Sequence, residues 1–109
     1  MVKPRLMPCP IELTNRLVGG KWKLLIMREL FRGGIKRYGQ LKVSVVGISD
    51  RTLSAQLRQL EEDGIVERRA YAEVPPRVEY SLTETGRSLR GVLSSIHEWG
   101  TEQIRKGRR

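Results

Sequence analysis

The residues best suited to specific hydrogen bonding lie in one short segment, GISDRTLSAQLRQLEEDG, residues 47–64. A helix turning by about 100° per residue, with Leu53, Leu57 and Leu60 facing inward, would point small polar and basic side chains outward or to the flanks. In the first turns these side chains are Arg51, Thr52, Ser54, Ala55, Arg58 and Gln59.

These side-chain types suit the base edges in the major groove of DNA. Arginine can donate two parallel hydrogen bonds to guanine O6 and N7, glutamine can pair with adenine, and alanine or a threonine methyl can contact the thymine methyl. The late acids, Glu61, Glu62 and Asp63, would be repelled by phosphate, so the N-terminal half of the helix should enter the groove. A surface helix with a solvated charged face is the alternative interpretation of this segment alone.

Few other residues are suited to catalysis or metal binding. The chain has one histidine, His97, one cysteine, Cys9, and two aspartates, Asp50 and Asp63, both expected at helix ends. A single cysteine excludes an internal disulfide and a zinc site built on several thiolates. The sequence also lacks a Gly-Lys-Ser/Thr phosphate loop and a carboxylate cluster suited to a metal. We therefore expect no enzyme activity, catalytic residue, metal or cofactor.

The rest of the sequence predicts the elements that position this segment. Ser49 is placed to cap the helix, since its hydroxyl can accept a free N–H of the first turn. Apolar periodicity predicts three helices before the segment, two strands after it and a final helix. The predicted ranges are 11–18, 21–32 and 38–45 for the early helices, 65–71 and 77–82 for the strands, and about 84–105 for the last helix.

This order of elements predicts a mainly helical α+β fold. A short helix, a turn with glycine and a capped second helix form a helix-turn-helix, and a following hairpin makes it the winged version. The recognition helix would span about 49–63 and the wing about 65–82. Lys42, on the preceding helix, and Arg77, on the stiff VPPR tip (74–77), are expected to contact phosphate or the minor groove.

The distribution of charge along the chain also favours DNA as the partner. The chain has 109 residues, which fits a single domain, and a net charge of +9. Residues 1–60 hold 12 lysines and arginines against 3 acids, whereas residues 61–109 hold 9 of each. Such asymmetry attracts a polyanion, most often nucleic acid. No apolar run approaches the roughly 20 residues that span a bilayer, and the start is unlike a signal peptide, so we expect a cytoplasmic protein without a membrane partner.

Four motifs resemble the HxlR-type winged-helix regulators of bacteria, relatives of the MarR group. They are CPIE (9–12), GGKW (19–22), IS…LSAQLRQLEEDGIVER (48–68) and EVPPRVEYSLTETG (73–86). The resemblance implies a homodimeric, DNA-binding transcription regulator whose terminal helices form the dimer contact. It also implies that the cysteine of the CP motif can serve as a sensor, because some members detect oxidants or electrophiles through it.

The final helix carries more large apolar residues than one face of a small domain can cover. The expected dimer interface consists of Leu13, Leu17, Leu89, Val92, Ile96 and Trp99. A twofold dimer would set its recognition helices about 34 Å apart and predicts an inverted-repeat operator. The alternative is that these side chains only close the core of the monomer.

Cys9 is the candidate redox-sensing residue. It precedes the first helix, where a thiolate gains from the helix dipole and from Lys3 or Arg5 nearby. With no second cysteine in the chain, it could form a disulfide with the partner subunit, or an adduct with a small thiol or electrophile. A buried, inert cysteine is the alternative. The sequence thus predicts a DNA-binding regulator with no identifiable effector, and the alternative function is a winged-helix module for protein–protein or RNA contacts.

Overall fold

The computed structural model describes residues 8–109, which form six helices and three strands. The helices are α1 (Pro10–Val18), α2 (Lys23–Gly33), α3 (Tyr38–Ser44), α4 (Asp50–Glu62), α5 (Glu84–Arg87) and α6 (Arg90–Arg105). The strands are β1 (Ile35–Arg37), β2 (Val66–Tyr71) and β3 (Arg77–Leu82). The predicted mainly helical fold with a small antiparallel sheet is confirmed.

The sheet has one strand more than the sequence predicted. Its order is β1-β3-β2, and both pairings are antiparallel. The β2–β3 hairpin pairs Val66 with Leu82 and Tyr71 with Arg77, as expected for a wing. β1 was missed because three residues directly after a glycine pair are too few to show strand alternation.

The core lies between the sheet and helices α2, α3 and α4. The three leucines of α4 predicted to face inward are buried, with Leu53 and Leu60 completely inaccessible. The other buried apolar side chains are Val18, Ile26, Met27, Leu30, Leu41, Val45, Ile48, Ile65, Val66, Tyr80 and Leu82. One continuous core therefore holds α4 against the rest of the domain.

The start of α4 is fixed as the sequence predicted. Ser49 Oγ accepts the N–H of Thr52 at 3.1 Å, which satisfies a donor of the first turn. Gly47 has a φ of +87°, a conformation that favours glycine, and it lets the chain turn from α3 into α4. Ile48 and Leu53, on either side of the cap, are both buried. These contacts set the direction in which α4 leaves the turn.

The C-terminal segment is not the single helix that was predicted over 84–105. Thr83 caps α5, where its Oγ1 accepts the N–H of Gly86 at 3.0 Å. A Cβ on Gly86 would clash with the carbonyl oxygen of Ile65, so α5 is packed closely against the start of the hairpin. The chain then turns at Leu89, which packs against the core, and α6 runs along α2.

The second helix also begins later than predicted, at Lys23 instead of Lys21. Lys23 is 6% exposed, so its aliphatic stem belongs to the domain interior. Within the described residues, no helix is long and apolar enough to cross a membrane.

Candidate nucleic-acid interface

The outer face of α4 is open to solvent. Arg51, Ala55 and Arg58 are exposed, directly opposite the buried leucines. Ser54 and Gln59 are exposed on the flanks, and Thr52 is half-buried. Within residues 8–109, no part of the chain covers this predicted face, so a nucleic acid can reach it.

Tyr38 ties α3 to the first turn of α4. Its hydroxyl donates to Asp50 Oδ1 at 2.9 Å and lies 3.3 Å from Ser54 Oγ. The hydrogen bond with Ser54 acts to lower the pKa of Tyr38, but partial burial and the Asp50 carboxylate raise it, and the net pKa lies above the ordinary value. The sequence did not predict this contact, because it depends on two helices meeting.

The Tyr38 contact changes the expectation for Ser54. The sequence predicted a hydroxyl free to contact a base, whereas the hydroxyl is shared with Tyr38 in the structure. Arg51, Ala55 and Arg58 carry no such contact with another described residue, and they form the unobstructed part of the face.

The acids of α4 lie at its far end. Glu61 and Glu62 are exposed, and Asp63 Oδ1 lies 3.9 Å from Arg16 of α1. At about 1.5 Å per residue, Glu62 is about 16 Å along the helix axis from Arg51. The basic and acidic ends of the helix are thus well separated, which suits entry into a groove by the N-terminal half.

Arg77 does not project from the wing tip as the sequence predicted. Its guanidinium folds back over the ring of Tyr71, 4.0 Å from the ring centroid. It also pairs with Glu73 at 3.2 Å and with Glu79 at 3.8 Å, and its side chain is only 28% exposed. Arg77 folds back because acids on both sides of it in the sequence lie within reach of its guanidinium.

The tip itself is left largely uncharged. Val74 is fully exposed, and Pro75 and Pro76 beside it are also exposed. Lys42, the other predicted phosphate contact, is half-buried on α3, and its contact with DNA stays a prediction.

The face of α6 differs from that of α4 because it is apolar. None of the α6 residues is buried, and Val92, Ile96 and Trp99 are 42%, 48% and 69% exposed. The idea that they close the monomer core is wrong for these three side chains. It holds in part for Leu17 and Leu89, which were predicted at the dimer interface and pack against the core of their own chain. Leu13, on α1, is half-buried.

Cys9 lies at the N-terminal boundary of α1. It is a free, half-buried cysteine, and its carbonyl accepts the N–H of Leu13 at 2.9 Å. The next two residues, Pro10 and Ile11, line a shallow apolar groove that continues to Ile96 of α6. Lys3 and Arg5, which were expected to favour the thiolate, lie outside the described residues.

The remaining residues with catalytic potential lie apart. His97 is exposed on α6, where its carbonyl accepts the hydroxyl of Thr101 at 2.7 Å. Across residues 8–109, no three histidine, cysteine or acidic side chains come together in a way that could hold a metal ion.

Comparison with known protein families finds a match. The model of the HxlR-like helix-turn-helix family matches residues 17–108. The HTH-type transcriptional regulator sll1512 of Synechocystis sp. is 47% identical over 96 residues, which cover 88% of this chain and 70% of that protein.

Solved structures of similar proteins support the same family. The redox regulator HypR in its oxidised form is 45% identical, with a TM-score of 0.81 over 86% of this chain and 96% of that one. The reduced form of the transcriptional regulator YodB from B. subtilis is 34% identical, with a TM-score of 0.79 over 94% of this chain and all of that one. These relatives are regulators and not enzymes, in line with the expectation from the sequence. The chain therefore belongs to the HxlR-like helix-turn-helix family and is a transcriptional regulator of the HxlR/MarR type.

Proposed function

We propose that this regulator binds double-stranded DNA in a sequence-specific manner, with the N-terminal half of α4 in the major groove. The observation that carries the proposal is the open face formed by Arg51, Ala55 and Arg58 above three buried leucines. A helix anchored by its own core and polar outside can enter a groove without exposing apolar surface.

The spacing along this face supports base reading by Arg51 and Arg58. Seven residues correspond to two turns, so the two arginines project in nearly the same direction, about 10.5 Å apart along the axis. That distance is close to three base-pair steps of about 3.4 Å. Ala55 lies between them and keeps the helix slim at its closest approach. Each arginine can pair with a guanine, while Thr52 and Gln59 lie on one flank to contact neighbouring bases or phosphates.

Selection of bound sites from a pool of random duplex DNA tests this proposal. We expect a recovered sequence with guanines in each half-site, bound more weakly by Arg51→Ala by a factor corresponding to about 1–3 kcal/mol. Arg105→Ala is the matched control, because Arg105 is 73% exposed at the far end of α6. Failure to recover any enriched duplex would contradict the proposal and favour a winged-helix module for protein or RNA contacts.

We also propose that the functional unit is a homodimer formed through α6 and α1. Val92, Ile96 and Trp99 are exposed on α6, and Ile11 on α1 is 79% exposed. Apolar side chains grouped in this way mark an interaction surface. A twofold axis there would present two copies of α4 about 34 Å apart to an inverted repeat. Two equal half-sites at one helical turn in the selected DNA are the expected result, and a single half-site would contradict the dimer.

The distribution of charge also supports binding to DNA. The net charge of +9 comes from residues 1–60, which include α4 up to Leu60. Phosphate contacts release counterions, so the logarithm of the affinity should fall linearly with the logarithm of salt concentration, by about 0.9 per contact. An affinity independent of salt would contradict the electrostatic part of the proposal.

A second candidate function is a response to oxidants or electrophiles through Cys9. It is supported by the similarity to HypR and YodB, since HypR is named a redox regulator. It is also supported by the place of Cys9, half-buried next to the apolar groove that reaches α6. A disulfide with Cys9 of the partner subunit, or a mixed disulfide with a small thiol, would alter the packing beside the proposed dimer surface.

Binding of the selected duplex before and after diamide treatment tests the role of Cys9. We expect the wild type to change its DNA affinity on oxidation, and Cys9→Ser to keep one affinity under both conditions. Thiol titration identifies the oxidised residue. Equal affinities of the oxidised and reduced wild type, with a titrated loss of the thiol, would show that Cys9 has no sensing role.

A further inference from the structure

The two faces of the three-stranded sheet carry different charges. Residues paired across antiparallel strands lie on the same face, so the register defines rows of side chains. One row consists of Lys36, Tyr80 and Arg68, and the next of Arg37, Glu79 and Arg69. We call the face with Tyr80 the inner face, because Tyr80 is buried there against the helices, and the opposite face the outer face.

On the outer face, the arginines of the wing are engaged with acids. Arg69 donates to Glu67 at 3.1 Å, and hydrogen bonding to Tyr71 and then to Glu67 raises the pKa of its guanidinium. Arg77 is held by Glu73 and Glu79 and stacked on Tyr71, at the distances given above. These two arginines are therefore neutralised within the wing.

On the inner face, the positive charge has no such balance. Both acids of the three strands, Glu67 and Glu79, lie on the outer face, so none lies beside Lys36 or Arg68. Lys36 extends along the end of α2, where its Cε lies close to Gly33. Arg68 is exposed, and within residues 8–109 it makes no ion pair or hydrogen bond by its side chain.

The inner face is also the side of the sheet that is turned towards α4. Strand β2 packs against α4. Tyr80, the cross-strand neighbour of Arg68, is close enough to Tyr38 to influence its titration, and Tyr38 in turn hydrogen-bonds the first turn of α4. A chain of neighbours thus links Arg68 to the end of α4 that carries Arg51.

We propose that Arg68 is the wing residue that binds the phosphate backbone of DNA, in place of Arg77. This inference rests on the proposed entry of α4 into the major groove, because a duplex held there would run past the inner face of the wing. A free guanidinium can bind a phosphate by two parallel hydrogen bonds, whereas Arg69 and Arg77 would first have to break their ion pairs. The contact is to the backbone, so it strengthens binding to all sequences alike.

The test measures affinity for two duplexes over a range of salt concentration. One duplex is the site recovered by selection, and the other has the same composition in shuffled order. The proteins are the wild type, Arg68→Ala, Arg68→Lys and Arg69→Ala, the last being the matched control on the outer face one residue away. All four should unfold at similar temperatures, because both positions are exposed.

We expect Arg68→Ala to bind both duplexes more weakly by a similar factor and with a shallower salt dependence. The slope should fall by about 0.9 for each phosphate contact, hence by about 1.8 for a dimer with two wings. Between 50 and 200 mM salt, the wild type should then lose roughly 12-fold more affinity than Arg68→Ala. Arg68→Lys should keep the wild-type slope, and Arg69→Ala should leave it unchanged.

Arg51→Ala, measured in parallel, separates this inference from the proposed function. If Arg51→Ala weakens binding to the selected duplex while Arg68→Ala leaves affinity and slope unchanged, the assignment of Arg68 is overturned and the placement of α4 is retained. If neither variant changes binding, the placement of α4 itself is overturned. A loss of slope in Arg69→Ala as large as in Arg68→Ala would also overturn the distinction between the two faces.

Discussion

Helices α4 and α6 both expose a long face, but the two faces are built in opposite ways. α4 buries Leu53, Leu57 and Leu60 in the core of its own chain and leaves a polar, basic face outside. α6 has no buried residue and leaves Ile96 and Trp99 about half or more exposed. A helix that has already covered its apolar side can present hydrogen-bond donors to a charged polymer, whereas an uncovered apolar side is stabilised by a second protein surface.

The largest effect on stability should come from truncating a buried leucine of α4. Leu57→Ala deletes a side chain that is 2% exposed, and we expect a loss of about 2–5 kcal/mol in the free energy of unfolding. Arg58→Ala, the next residue on the outer side, should change that free energy by no more than about 0.5 kcal/mol. Urea unfolding of both variants measures the two losses. Equal losses would contradict the assignment of Leu57 to the buried side and Arg58 to the exposed side of α4.

The next effect concerns the apolar face of α6. Trp99→Glu should weaken the proposed dimer by about 2 kcal/mol or more, which is about 30-fold in the dissociation constant. Trp99→Leu keeps an apolar side chain and should weaken it less. Because Trp99 is 69% exposed, both variants should retain a folded subunit. Sedimentation equilibrium measures the dissociation constants. A wild-type protein that is monomeric at micromolar concentration would contradict the proposed dimer.

The smallest effect is at the cap of α4. Ser49→Ala removes the acceptor for the N–H of Thr52, and we expect a loss of about 1 kcal/mol in unfolding free energy. Ser95→Ala, at an exposed position inside α6, is the control and should be close to neutral. Thermal unfolding checks both, and an unchanged melting temperature for Ser49→Ala would show that the cap seen in the structure contributes nothing.

Much of α4 could be predicted from the sequence because its signals are local. The spacing of Leu53, Leu57 and Leu60 fixes the inner side, and the hydroxyl of Ser49 and the freedom of Gly47 fix the start. The exposure of Arg51 on the outer side follows from the same helical geometry. A pattern that repeats within a few residues needs no knowledge of the tertiary structure.

What could not be predicted depends on contacts between distant residues. Strand β1 is only three residues long and exists because β3 offers it a partner. The break before α6 comes just after the close approach of Gly86 to Ile65, and these two residues are distant in sequence. Arg77 looked free because the sequence does not show that its guanidinium folds over Tyr71. Strand register decides which wing arginine stays unpaired.

The most direct test of the account is protection of guanine N7 from methylation by dimethyl sulfate, measured on the selected duplex. N7 lies in the major groove, so a bound α4 should protect guanines in both half-sites, and Arg51→Ala should lose protection at one guanine in each. Full occupancy of the duplex with every guanine N7 still reactive would contradict the placement of α4 in the major groove.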